Sequence, residues 1–255
     1  MIQLKRISLT FFIYLSMLFW TVLYCSVAIW VYLVALFCPK RISGQIMRYV
    51  ILYYGQTMIH IAIRPFIVAK YEDLAGGDTR AGIYIFNHRS ASDPFLMSIF
   101  GISAIQLVNG WPMRLPFFGY FARSCEYIDA TKIDYESAKA HITSLLKRGV
   151  SVMAFPEGTR SDGRVMNHFH SGIFKLAMDT GALIYPCAIV GNEYLPDRKF
   201  RFPQGGKIMV RRLKAIENDE IMQCPTAFVL KNKIKDIIQQ ETAKMDKLID
   251  HENQI

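Results

Sequence analysis

Between Arg6 and Lys40 the chain has no aspartate, glutamate, lysine, arginine or histidine, so 33 residues, Ile7 to Pro39, pass without a charge. A helix needs roughly 20 apolar residues to cross a hydrocarbon core about 30 Å thick, and this run is long enough to span with tilt. The run also lacks the marks of a cleaved leader, whose apolar part is only about 7–15 residues long and ends in small residues. A single retained membrane helix is the expectation. Trp20, Tyr24, Trp30 and Tyr32 are scattered along it rather than set in two belts, so its limits are not marked.

Close cysteine pairs are absent too. Cys25, Cys38, Cys125, Cys187 and Cys224 are odd in number and widely spaced, which excludes a disulfide framework and a zinc spacing and fits a reducing compartment. No serine sits in a Gly-x-Ser-x-Gly elbow and no cysteine lies near a base, so covalent catalysis has no support. His168-Phe169-His170 offers two ligands on one strand face without a third at metal spacing, and no metal is expected. Acids are few, 21 against 30 lysines and arginines, for a net charge of +9. Lys199, Arg201, Lys207, Arg211, Arg212 and Lys214 concentrate that excess late in the chain. It suits an anionic membrane surface or the phosphates of a co-substrate. The alternative is a solvated face that keeps the protein soluble. No nucleic-acid module is recognisable, so no nucleic-acid partner is expected.

What is present fills one catalytic domain, residues 65–255, behind a membrane-anchoring region, residues 1–64. Lys5 and Arg6 before the apolar run, and Lys40, Arg41 and Arg48 after it, favour a cytoplasmic catalytic body (on the inner membrane, for a bacterial chain). Ile46–Val68 is apolar but carries Arg48, His60 and Arg64, the pattern of an amphipathic helix lying in the interface. Beyond it, short apolar runs alternate with helical patterns. Strands are expected at Phe66–Lys70, Ile83–Phe86, Ala104–Val108, Glu126–Asp129, Val150–Phe155, Leu183–Val190 and Lys207–Leu213. Helices are expected at Pro94–Phe100, Tyr135–Arg148, Ile173–Thr180 and Ala227–Asp250, with Asp134 capping the second and Gly149 and Gly181 ending the second and third. Strands apolar on both faces, alternating with helices, give an α/β fold: a largely parallel sheet with helices on both faces.

Two motifs carry the chemistry. His88 follows the strand Ile83–Phe86, and Asp93-Pro94 lies five positions on. Asp93 has two roles open to it. It can cap the helix that Pro94 begins. It can also accept the Nδ1 proton of His88 and leave Nε2 aimed outward as a base. Five helical residues turn the chain by about 500°, so the second role requires Arg89–Ser92 to be a loop that folds back. The other motif is Pro156-Glu157-Gly158-Thr159-Arg160, at the carboxyl end of Val150–Phe155. Ligands of open α/β sheets bind at that edge, and parallel pairing of the two strands would bring both motifs to one crevice. Arg160 offers a planar fork for phosphate, and Gly158 allows close backbone approach. A plain Glu157–Arg160 ion pair in a turn is the alternative.

From about Arg64 to Arg212 the chain resembles the 1-acylglycerol-3-phosphate acyltransferase family of glycerolipid acyltransferases. Four blocks occur in order: Asn87-His88 with Asp93; Leu115-Pro116-Phe117-Phe118-Gly119 followed by Tyr127-Ile128-Asp129; Phe155–Arg160; and Ile184-Tyr185-Pro186. The resemblance implies that His88, oriented by Asp93, is the catalytic base. It implies that Glu157, Gly158, Thr159 and Arg160 form the turn that binds the acceptor headgroup. It further implies a direct acyl transfer from acyl-CoA or an acyl carrier protein thioester to a lysolipid hydroxyl, with 1-acyl-sn-glycerol 3-phosphate as first acceptor and no cofactor. The chain departs from the pattern twice. The family's second block carries a lysine and a glutamate where this chain has Gly110-Trp111, and an arginine where it has Ala130, with Lys132 nearby. Another lysolipid, a lysophospholipid or lyso-aminolipid, is therefore the runner-up acceptor. A catalytically idle lipid or carrier binder is a third possibility, opposed by the presence of both His88 and Asp93.

Overall fold

The computed structural model describes residues 2–110, 112–114 and 116–252. Trp111 and Leu115 of the second block lie outside the described residues. Seven strands form one sheet: β1 (Ile67–Asp73), β2 (Ile83–Phe86), β3 (Ala104–Val108), β4 (Ile128–Asp129), β5 (Ser151–Ala154), β6 (Ile184–Val190) and β7 (Gly206–Arg212), in the spatial order β1-β7-β6-β2-β5-β3-β4. Only β6 and β7 pair antiparallel. β2 lies at the centre between β6 and β5, which is why all four of its residues are buried.

The period of two along each strand divides the core into two layers. Ile83, Ile85, Val152, Ala154 and Ile184 face a cluster completed by α5 (Tyr135–Lys147), α6 (Gly172–Thr180) and α8 (Ala227–Glu252), through Ile142, Phe174 and Ile234 among others. Tyr84, Phe86, Met153, Tyr185 and Cys187 face the opposite cluster, which includes Leu96 of α3 (Asp93–Leu96) and Ile13 and Ile59 from the N-terminal helices. Asp134 accepts the Ser137 amide at 2.9 Å and so starts α5, and Gly149 and Gly181 take the left-handed φ of 74° and 66° behind α5 and α6.

The N-terminal helices differ in detail from expectation. α1 (Ile2–Ala35) holds all but the last four residues of the uncharged run, and it is long and apolar enough to cross a membrane. α2 spans Lys40–Thr57 and continues as a wider π turn, Met58–Ala62, so it begins earlier and ends earlier than Ile46–Val68. Ile67 and Val68 instead begin β1, where they pair with Gly206 and Lys207. Arg48 points inward, not to a headgroup region: it is buried and donates to Glu126 Oε2 at 2.5 Å. α1 is fastened to the body along most of its length. Phe202 N donates to Thr10 Oγ1 at 3.0 Å, Tyr14 donates to Phe200 O at 2.7 Å, Ser16 to Ala62 O at 2.8 Å and Tyr24 to Val50 O at 2.6 Å. Tyr32 then stacks edge-on against Tyr120 and Phe121.

Two short helices were not anticipated, α4 (Pro116–Ser124) and α7 (Asn218–Met222). The late run of basic residues is also not one surface. Arg211 pairs with Glu72 and Glu241, and Arg212 pairs with Asp73, so both are committed inside the fold.

Candidate active site

Parallel pairing of β2 with β5 sets Ile85 beside Ala154 and so brings His88 and Glu157 side by side just past the strand ends. The backbone locks them there. His88 N donates to Glu157 Oε1 at 2.6 Å, and Ser161 N donates to His88 O at 2.7 Å. The imidazole stacks on Phe155 with ring centroids 4.5 Å apart. His88 Nδ1 lies 2.7 Å from Asp93 Oδ2, the contact that a folded-back loop permits. Its Nε2 has no hydrogen-bond partner among the described residues, and the side chain is 16 % exposed, which leaves that nitrogen open to a ligand.

Asp93 is the first residue of α3, yet its carboxylate does not cap that helix. Oδ2 turns back and accepts the amides of Arg89 at 2.8 Å and Ser90 at 2.9 Å as well as the His88 ring. Oδ1 accepts from Asn192 Nδ2. The carboxylate is fully buried with both oxygens engaged, so it fixes the loop and the ring together. Asn192, from the loop after β6, had no local sequence mark. Neither had the role of Asn87, whose amide exchanges two 2.8 Å hydrogen bonds with the Ile189 backbone and ties the end of β2 to β6.

The second motif separates into a buried and an open half. Glu157 is buried and does not pair with Arg160; Oε1 accepts His88 N, and Oε2 accepts Asn167 N at 2.7 Å. Burial pushes its carboxyl above the ordinary carboxylate value, outweighing those two amide bonds. Gly158 has φ of 69°, and a Cβ there would also approach His170 Nε2 to 3.3 Å. Gly158 and Thr159 are exposed at the rim. Arg160 points away from Glu157 and sits over the Phe200 ring at 5.3 Å. A cavity of about 390 Å³ opens beside the His88 loop, lined by Arg89, Arg160, Ser161 and the loop from Glu193 to Arg201. In the second block, a Cβ at Gly110 would meet Thr131 Oγ1 at 2.5 Å and Asp129 Oδ1 at 3.2 Å.

Residues 67–190 match the acyltransferase family model. The chloroplastic 1-acyl-sn-glycerol-3-phosphate acyltransferase of Arabidopsis thaliana is 32 % identical over 139 residues, covering 52 % of this chain and 38 % of that protein. The 1-acyl-sn-glycerol-3-phosphate acyltransferase of Escherichia coli K12 is 28 % identical over 181 residues, 65 % of this chain and 68 % of the bacterial one. Against the plant relatives, then, the chain spans about two fifths to half of their length, 38 % for Arabidopsis thaliana and 54 % for Cocos nucifera. The crystal structure of the 1-acyl-sn-glycerophosphate acyltransferase PlsC from Thermotoga maritima shares the fold, with a TM-score of 0.77 over 96 % of this chain and 98 % of that one at 18 % identity. Fold and matches together define an α/β fold with an acyltransferase domain at residues 67–190. The curated relatives that this domain resembles are 1-acyl-sn-glycerol-3-phosphate acyltransferases.

Proposed function

We propose that the chain moves a fatty acyl group from a thioester, acyl-CoA or an acyl carrier protein, to the free hydroxyl of 1-acyl-sn-glycerol 3-phosphate, giving phosphatidate. The observation that carries this is the His88–Asp93 contact, which leaves Nε2 without a partner among the described residues, while the next residue in the loop, Arg89, lines a cavity together with Arg160. In this mechanism Nε2 takes the proton of the acceptor hydroxyl as the oxygen attacks the thioester carbonyl. The carbon–sulfur bond then breaks, and the thiolate leaves with the proton from His88. Asp93 holds the ring in the tautomer that keeps Nε2 unprotonated at the start and stabilises the imidazolium that forms. Arg160 positions the acceptor headgroup, while Glu157 shapes the turn from beneath.

Membrane association belongs to the same proposal. α1 exposes Phe11, Leu15, Phe19, Val22, Trp30 and Val34 to the outside of the molecule. Its contacts with the body run from Thr10 to Tyr32, about 33 Å at 1.5 Å per residue, and so match the thickness of a hydrocarbon core. A helix crossing the bilayer would draw Ala62 and Val50, which hold its middle, into hydrocarbon together with α2 and the body packed behind them. The contacts therefore support a helix lying along the near leaflet, with its exposed side in lipid and the body on the cytoplasmic surface.

The closing of the Gly110 position favours a second reading, the same transfer to a lysophospholipid or lyso-aminolipid. The test is an acyl-transfer assay of the purified full chain with both donor types and a panel of lysolipids. Transfer to lysophosphatidate that His88→Ala abolishes supports the proposal. Preference for an acceptor without a phosphate monoester supports the second reading, and transfer to no lysolipid refutes both.

A further inference from the structure

The cavity beside His88 has a charge balance that the chain itself leaves open. Three acids line it, and each is already held by a cation. Glu193 accepts from Arg89 at 2.9 Å and Arg164 at 3.2 Å. Asp162 lies 3.3 Å from Arg198, and Asp197 lies 2.8 Å from Arg201. Two lining cations remain, Arg160 and Lys199. Among the described residues neither charged group has an ion pair or hydrogen bond; the guanidinium of Arg160 rests only on the Phe200 ring.

The loop that carries Lys199 is organised rather than loose. Asp197 accepts the amides of Lys199 at 2.8 Å and Arg201 at 2.9 Å as well as the Arg201 guanidinium. Burial alone would raise its carboxyl, but these hydrogen bonds prevail and hold it below the ordinary value. Phe200 takes a left-handed φ of 57°, and Lys199 and Phe200 are both exposed. The same loop is hydrogen-bonded to Thr10 and Tyr14 of α1, the helix that the proposed function sets in lipid. A ligand in this cavity is thus presented from the membrane surface.

We propose that Lys199 and Arg160 together grip a phosphate monoester on the acceptor lipid, and that Lys199 sets the preference for a monoester over a diester headgroup. The proposal rests on the acyltransferase function given above. A phosphate monoester carries about −1.5 to −2 at neutral pH, which matches two uncommitted cations. A phosphodiester carries a single charge, leaves one of the two cations unmatched, and in zwitterionic headgroups adds a positive group that they repel. Arg160 supplies the planar fork, and Lys199 a compact point charge on a flexible stem. The phosphates of coenzyme A share the chemistry, but they arrive from water, and the tether to α1 favours the lipid.

The experiment uses the full chain in lipid–detergent micelles as wild type, Lys199→Gln and Lys199→Arg. Acceptor kcat/KM is measured with 1-acyl-sn-glycerol 3-phosphate and with a 1-acyl-glycerophosphoglycerol diester. Donor KM is measured with an acyl-CoA and with an acyl-pantetheine that lacks the nucleotide phosphates. Loss of one charge-assisted hydrogen bond should raise the monoester KM of Lys199→Gln about tenfold or more and leave the diester within about twofold, and Lys199→Arg should restore most of the preference. Donor KM should not move. An unchanged monoester-to-diester ratio overturns the inference, as does a donor KM that rises for acyl-CoA alone, which would assign Lys199 to the coenzyme. Binding of glycerol 3-phosphate by calorimetry gives a readout that needs no turnover, and it should weaken about tenfold in Lys199→Gln. Wild type that ignores every lysophosphatidate defeats the function itself. Activity in wild type with an unmoved ratio and unmoved glycerol 3-phosphate binding in Lys199→Gln defeats only this inference.

Discussion

Arg89 and Asp246 meet across 157 positions of sequence through two hydrogen bonds, Nη1 to Oδ1 at 2.7 Å and Nη2 to Oδ2 at 2.9 Å. One end of this fork pair is the residue after His88, and the other is on α8. The arginine also reaches Glu193 at 2.9 Å, so a single guanidinium clamps the His88 loop to the C-terminal helix and to the loop after β6. Removing one partner of a buried pair costs about 3–5 kcal/mol, because the other charge stays buried and alone. Asp246→Asn should therefore lower the unfolding free energy by about that amount, less whatever Glu193 retains. A chemical denaturation curve that overlays on wild type would remove Arg89–Asp246 from the stabilising contacts.

His88→Ala should lower turnover by about 10²–10⁴-fold, the usual worth of a general base, with little change in melting temperature. Asp93→Asn should lose both turnover and stability. An amide nitrogen would face the donors of Arg89, Ser90 and His88 in place of an oxygen that now accepts all three. Single-turnover rates alongside thermal melts separate the two effects. Equal melting losses in both variants would argue against this division of roles.

Glu157 gives a pH dependence with a definite sign. Its folded carboxyl sits above the ordinary glutamate value of 4.5, with burial as the leading cause. Well below 4.5 both states hold the proton. As pH rises through the window up to the raised folded value, the unfolded chain releases its proton first, and the stability of the folded chain falls. In Glu157→Gln that contribution is absent, and one of the two amides loses its acceptor at a cost of about 1–3 kcal/mol. The stability gap between wild type and Glu157→Gln should thus narrow as pH rises from about 4.5. Denaturation series across that range decide it, and a gap that widens would contradict the raised value.

The exposed apolar side of α1 can be tested as a membrane-binding face without disturbing the fold. Phe11, Phe19 and Trp30 are 60 %, 61 % and 70 % exposed, whereas Ile13 and Ala35 on the same helix are fully buried. Replacing the three exposed aromatics with glutamine should sharply reduce sedimentation with anionic vesicles and leave the melting temperature near that of wild type. Undiminished vesicle binding would mean that another surface carries the attachment.

Much of the scaffold was readable because its marks are local. β2 and β3 fall at the expected residues, since each is a short apolar run bounded by turns. Asp134 and Gly149 likewise bracket α5 by cap chemistry that acts within a few residues. The His88–Asp93 spacing was legible for the same reason, although the cap role of Asp93 remained open until the loop amides were seen turning to its carboxylate. Asn192 and Asp246 were not legible. Each meets its partner from about 100 or more positions away, and nothing in its own neighbourhood announces the meeting. The helix beginning at Pro116 escaped notice because Phe117, Phe118 and Gly119 read as an irregular apolar cluster with poor helix formers. Arg211 and Arg212 read as surface charge in the sequence because their acids, Glu72 and Asp73 of β1, lie 139 positions away.

Gly110 bears on how this chain could change over time. The hydroxyl of Thr131 fills the space a side chain at 110 would need, and it is held there by donating to Asp129 at 2.6 Å. A lysine introduced at 110 would thus collide with that hydroxyl. The cost of a lysine at 110 is therefore carried by Thr131, which must give up its bond to Asp129 and swing aside. Random libraries of this gene should recover Gly110→Lys more often in clones that also carry a smaller residue at Thr131.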